Sequence, residues 1–112
     1  MSRHEIRATP KVMSRYLYTD DILTTGTPVG SPAWFVWLET ASTFYYEGHP
    51  GSFTAHCERR QRGGRYWIAY SRRQGVLRRT YLGTSPHLTP ERLQAVAASF
   101  VLPFQKERSI DP

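Results

Sequence analysis

Between residues 59 and 90 the chain carries eight arginines, Arg59, Arg60, Arg62, Arg65, Arg72, Arg73, Arg78 and Arg79, with no lysine and no acid among them. The flanks differ: residues 1–58 hold four Lys/Arg against six Asp/Glu, and residues 91–112 hold three of each. The formal net charge of +6 is therefore the property of one block. A guanidinium binds phosphate and guanine edges with paired donors and stacks on aromatic rings, which an ammonium does poorly. Tyr66, Trp67, Tyr70 and Tyr81 interleave with these arginines. A merely solvated face usually mixes signs, so an all-arginine block with aromatics reads as a surface for a polyanion, nucleic acid first.

Other chemistry finds little footing. His4, His49, His56 and His87 are far apart and in no metal-ligand spacing, and with a single cysteine they make a zinc site improbable. Cys57 can form no internal disulfide and reads as a small inward residue on a strand rather than a nucleophile. Glu47 and Glu58 suggest no acid–base pair in a cleft; Glu58, next to Arg59 and Arg60, reads as an ion-pair partner. Asp20 and Asp21 read as solvated loop, and no P-loop pattern occurs. No enzyme, cofactor or metal is expected.

The elements that must position the arginines follow from length and punctuation. With 112 residues there is room for one core, and 13% aromatics argue for a folded one. No apolar run approaches the ~20 residues that cross a bilayer, and the N-terminus has no signal-peptide pattern, so the expected address is cytoplasmic. Residues 1–30 read as an extended arm in which Arg15–Tyr18 can form a short strand; it either lies ordered over the sheet or trails along DNA with Arg3, Arg7, Lys11 and Arg15. Ser31-Pro32 is an N-cap followed by a first-turn proline, opening a short helix through Ala33–Glu39. Thr43–Glu47, Ser52–Gln61, Arg65–Arg73 and Val76–Leu82 read as strands, with turns at Gly48–Gly51, Gly63-Gly64 and Gln74-Gly75. Thr89-Pro90 repeats the cap signal, and Leu93, Val96, Ala97 and Phe100 form one helical stripe. Pro103 ends that helix, and residues 103–112 are a polar tail. The expected fold is α+β: an antiparallel β-meander of three or four strands packed on a C-terminal α-helix, with a short N-terminal helix, as a single domain over residues 31–102.

A strand alternates its side chains between faces, so one anchor assigns the rest. If the small Ala69 faces the helix, Trp67 and Ser71 join it, and Ile68, Tyr70 and Arg72 point away. Leu82 inward sends Arg79 and Tyr81 outward, and Phe53, Ala55 and Cys57 inward leave His56 and Arg60 outside. Tyr70, Arg72, Arg79 and Tyr81 then sit centrally as candidate base readers, with Arg60 beside them. Arg62, Arg65 and Arg73, in or beside turns, are candidate phosphate contacts. The opposite register would exchange Arg72 with Arg73 and Arg78 with Arg79.

Three segments in order, Gly64–Tyr70, Arg78–Gly83 and Leu88–Leu93, together with Ala33–Glu39 and Gly51–Ala55 upstream, resemble an N-terminal module of large LuxR/MalT-like bacterial transcriptional regulators. The resemblance spans roughly residues 30–100 and implies a regulatory setting. The ATPase and helix-turn-helix parts of those regulators have no counterpart in this sequence. The strand-turn-strand-helix order, with Tyr81-Leu82-Gly83 before an amphipathic helix, is also similar to the integrase arm-binding and ethylene-response-factor domains. In those domains a three-stranded sheet enters the major groove, which would implicate Tyr70, Arg72, Arg79 and Tyr81.

The expected function is a DNA-binding module that contacts duplex DNA with an arginine and aromatic sheet face. Two alternatives stay open. One is a protein-interaction module, in which Trp34, Phe35, Trp37, Phe44, Tyr45 and Tyr46 supply a partner or homodimer surface rather than core. The other is a binder of RNA or single-stranded DNA, because tyrosines stack on unpaired bases.

Overall fold

A computed structural model describes residues 9–19 and 26–101. Arg3, Arg7, Asp20, Asp21, His4, Pro103 and the tail from 103 lie outside the described residues. The chain forms seven strands in one sheet: β1 (Lys11–Met13), β2 (Tyr16–Tyr18), β3 (Thr27–Pro28), β4 (Thr43–Glu47), β5 (Ser52–Arg59), β6 (Arg65–Arg73) and β7 (Val76–Gly83). Helix α1 (Pro32–Leu38) precedes β4, and α2 (Pro90–Ser99) follows β7 after a 3₁₀ turn at Ser85–His87. The strand order is β3-β2-β1-β4-β5-β6-β7, antiparallel throughout except for β1 beside β4.

The class is α+β, but the sheet is larger than the three- to four-strand meander expected from the sequence. The difference lies in the segment read as an extended arm. Lys11–Met13 and Tyr16–Tyr18 make a tight hairpin through Ser14 and Arg15, both at positive φ, and dock on the open side of β4. Val12 and Leu17 are buried there, so sheet pairing and apolar burial hold the segment together. Lys11 and Arg15 are accordingly not trailing cations: Lys11 meets Glu47 at 3.3 Å and Arg15 meets Glu91 at 3.7 Å.

Both helices begin where the sequence places a cap. The Ser31 hydroxyl accepts from the Trp34 N–H and the Thr89 hydroxyl from the Arg92 N–H, each with proline at the next position. One face of the sheet carries the core. Trp34, Phe44 and Trp67 meet there, with ring centroids 5.5 Å apart for Trp34–Phe44 and 5.4 Å for Phe44–Trp67. Their polar atoms are satisfied: the Trp34 indole donates to the Leu88 carbonyl at 2.8 Å and the Trp67 indole to Ser85 Oγ at 3.3 Å. Leu93, Val96, Ala97 and Phe100 bring α2 onto the same face. Phe35, Trp37 and Tyr46 pack at the margin of this core, half-buried. Gly51 marks the tightest approach, since a Cβ there would lie 2.2 Å from the Ala97 carbonyl oxygen.

Candidate nucleic-acid interface

Pairing fixes the faces. Ala55 stands opposite Ala69 and Cys57 opposite Trp67, on the core side; Thr54 faces Tyr70, His56 faces Ile68 and Glu58 faces Tyr66, on the other. Across the next ladder Ile68 faces Tyr81, Tyr70 faces Arg79 and Arg72 faces Leu77. The irregularity at Trp67/Ile68 leaves Leu82 buried while Tyr81 stays exposed. Continued through β4, β1 and β2, the register puts Tyr16, Tyr18 and Tyr45 on this outer face with Tyr66, Tyr70 and Tyr81. Six of the seven tyrosines thus share the face that carries no helix, and Tyr46 alone joins the core.

The outer face has its own small network. Ile68 is 5% exposed yet does not belong to the main core cluster, and it stands between His56 and Tyr81 on this face. The Tyr66 hydroxyl donates to Glu58 Oε1 at 3.1 Å and the Tyr70 hydroxyl to Glu58 Oε2 at 3.0 Å. The Arg60 guanidinium lies 4.8 Å from the Tyr66 ring centre and donates to the Tyr81 hydroxyl at 3.2 Å. Arg79 lies 5.6 Å from the Tyr70 ring centre, whose edge meets His56 in a T-shaped contact at 5.4 Å. Each arginine is held by ring stacking, which orders the guanidinium while leaving most of its donors free. Tyr66 and Tyr70 have raised pKa values, first because each hydroxyl donates to Glu58 and then because of burial, so both remain protonated donors at neutral pH. Glu58 is thus a tyrosine acceptor rather than the ion-pair partner of Arg59 and Arg60, and no described basic group lies within ion-pair distance of it.

The candidate residues divide. Arg60, Tyr70, Arg72, Arg79 and Tyr81 come together on the outer face of β5–β7. Arg62, in the β5–β6 turn, and Arg73, at the far end of β6, are exposed and their side chains make no hydrogen bond or ion pair among the described residues; alternation from Ala69 puts Arg73 on the helix side of the strand end. Arg65 turns to the other face: its guanidinium donates to the carbonyls of Glu39 and Ala41 at the end of α1, and its Nε to Cys57 Sγ at 3.0 Å. Arg78 likewise donates to the Phe100 carbonyl at 3.0 Å. Cys57 sits half-buried at the core margin beside Arg65. Among the described residues no group of three His, Cys, Asp or Glu is placed to hold a metal, and no helix is long and apolar enough to cross a membrane. Sequence reasoning passed over Tyr66 and Glu58 as site residues. Period two from Tyr70 and His56 puts both on the outer face, which was the signal available.

Comparison with known protein families, curated proteins and solved structures finds no match for the chain.

Proposed function

We propose that this protein is a DNA-binding module that contacts duplex DNA with the outer face of β5, β6 and β7, and acts in regulation. The observation that carries the reading is the pair of ring-stacked arginines, Arg60 on Tyr66 and Arg79 on Tyr70, on a sheet face opposite both helices. Strands lie about 4.8 Å apart, so a β6–β7 ribbon suits the ~12 Å width of the major groove, and nine residues of β6 extend about 30 Å, close to one helical repeat. Arg62 and Arg73, at opposite ends of β6, then meet phosphates, and Arg72 and Arg79 meet base edges. Arg65 belongs to the scaffold and leaves the contact set, and Arg78 is likewise engaged with a backbone carbonyl. The regulatory setting rests on the resemblance of residues 30–100 alone.

Single-stranded nucleic acid is the second reading, favoured by the six outward tyrosines. Two of their rings, however, are already covered by guanidinium groups, which removes stacking platforms that an unpaired base would use. Duplex RNA is disfavoured because its major groove is too deep and narrow for a sheet. The test is the Arg72→Ala/Arg79→Ala double variant: duplex affinity is expected to fall more than roughly tenfold with unchanged thermal unfolding. Unaltered affinity in that folded variant would overturn the reading.

A further inference from the structure

We propose that Glu58 determines the sequence preference of this face by accepting a hydrogen bond from the N4 amine of a cytosine in the bound duplex. The proposal rests on the duplex-DNA reading above and goes further by naming a base and the group that reads it.

Glu58 is the only acid between residues 48 and 90, and it stands on the arginine face. A carboxylate there repels the phosphates of every duplex, so it weakens non-specific binding whatever the sequence. The acceptor accounting leaves it able to do something specific in return. Oε1 takes one hydrogen bond, from Tyr66, and Oε2 takes one, from Tyr70; a carboxylate offers about four acceptor sites, so roughly two remain. Carboxylates accept from the cytosine amine in the major groove, whereas every other base presents at least one acceptor edge that would oppose it.

The group is also held in place. One tyrosine hydroxyl bonds each oxygen, and the side chain borders an open depression of about 650 Å³ with His56, Tyr70, Arg72 and Leu77. Tyr70 links it to Arg79, whose guanidinium stacks on the ring that bonds Glu58. A guanine-reading arginine and a cytosine-reading carboxylate are therefore set at a fixed offset by one tyrosine, which suits recognition of a G·C-containing step. A purely structural clamp on Tyr66 and Tyr70 would need an acceptor but not a charge, and Glu58→Gln separates the two roles.

The experiment is selection from a random duplex pool by the full chain, its Glu58→Gln variant and its Tyr66→Phe/Tyr70→Phe variant, each first checked for cooperative thermal unfolding. The wild-type chain should enrich duplexes with one position fixed as cytosine by about tenfold or more over other bases. Glu58→Gln should lose that fixed cytosine and bind random duplex several-fold more tightly at low salt. The double phenylalanine variant, with its carboxylate present but unpinned, should keep a weakened cytosine preference. Cytosine fixed equally in the wild-type and Glu58→Gln pools, or no fixed cytosine in a wild-type pool that does bind duplex, overturns the proposal. Retention of no duplex by the wild-type chain overturns the DNA reading itself, and this proposal with it.

Discussion

At the scale of residues, arginines of one sequence block do two jobs. Arg79 and Arg60 lie over tyrosine rings on the open face, whereas Arg65 holds the carbonyls of Glu39 and Ala41 at the end of α1. Bonds from a charged donor contribute about 1.5–3 kcal/mol each, so Arg65→Ala is expected to lower the unfolding midpoint clearly while the folded fraction binds DNA unchanged. A parallel loss of affinity in the folded variant would restore Arg65 to the binding surface. The Tyr66 and Tyr70 phenols give a second handle. Their folded pKa values are raised above the unfolded value near ~10, so the stability they contribute is complete below that value and is lost as pH rises through the folded pKa. The gap in unfolding midpoint between the wild-type chain and Glu58→Gln should therefore close above about pH 10. A gap that stays constant from neutral to strongly alkaline pH would show that the hydroxyl–carboxylate bonds are not its source. The outer positions of Tyr70 and Arg72 were legible from alternation around Ala69, and those of Arg79 and Tyr81 from Leu82. The task of Arg65 was not, because its partner carbonyls lie 24 and 26 residues away in sequence and nothing local announces them.

At the scale of elements, local signals located the long strands and the helices, and non-local pairing supplied the rest. The Ser31-Pro32 and Thr89-Pro90 caps start α1 and α2, and Gln74-Gly75, both at positive φ, close the β6–β7 hairpin, as a tight two-residue turn requires. Strands β1, β2 and β3 have only three, three and two residues. So short a run carries almost no periodic signal, although Arg15–Tyr18 already read as a possible strand; β1 covers the edge that β4 would otherwise leave open, and β2 pairs onto β1. The contact of α2 with the sheet has a weak point that can be tested. Gly51→Ala drives a methyl group into the Ala97 carbonyl and should destabilise the fold by about 1–3 kcal/mol, read as a lower midpoint in urea. An unchanged midpoint would mean that α2 does not press on Gly51 so closely.

At the scale of the whole molecule, the sheet separates the aromatic core from most of the tyrosines. The aromatic core and both helices occupy one side, with Arg65 and Arg78 donating to backbone carbonyls there, and six of the seven tyrosines occupy the other with Arg60, Arg72 and Arg79. Of the aromatic cluster, Trp34, Phe44 and Trp67 are buried, and Phe35, Trp37 and Tyr46 are half-buried at the core margin. Arg62→Ala/Arg73→Ala, which removes charge at the two ends of β6, should weaken binding evenly across sequences and flatten the slope of log affinity against log salt by about 2. A slope that does not change would move the phosphate contacts elsewhere. The most direct test of the central claim is fluorescence anisotropy of the intact chain with random duplex DNA, single-stranded DNA and duplex RNA, each at two salt concentrations. The account predicts preferential binding to duplex DNA that weakens steeply with salt. Equal binding to all three, or none at low salt, would contradict it.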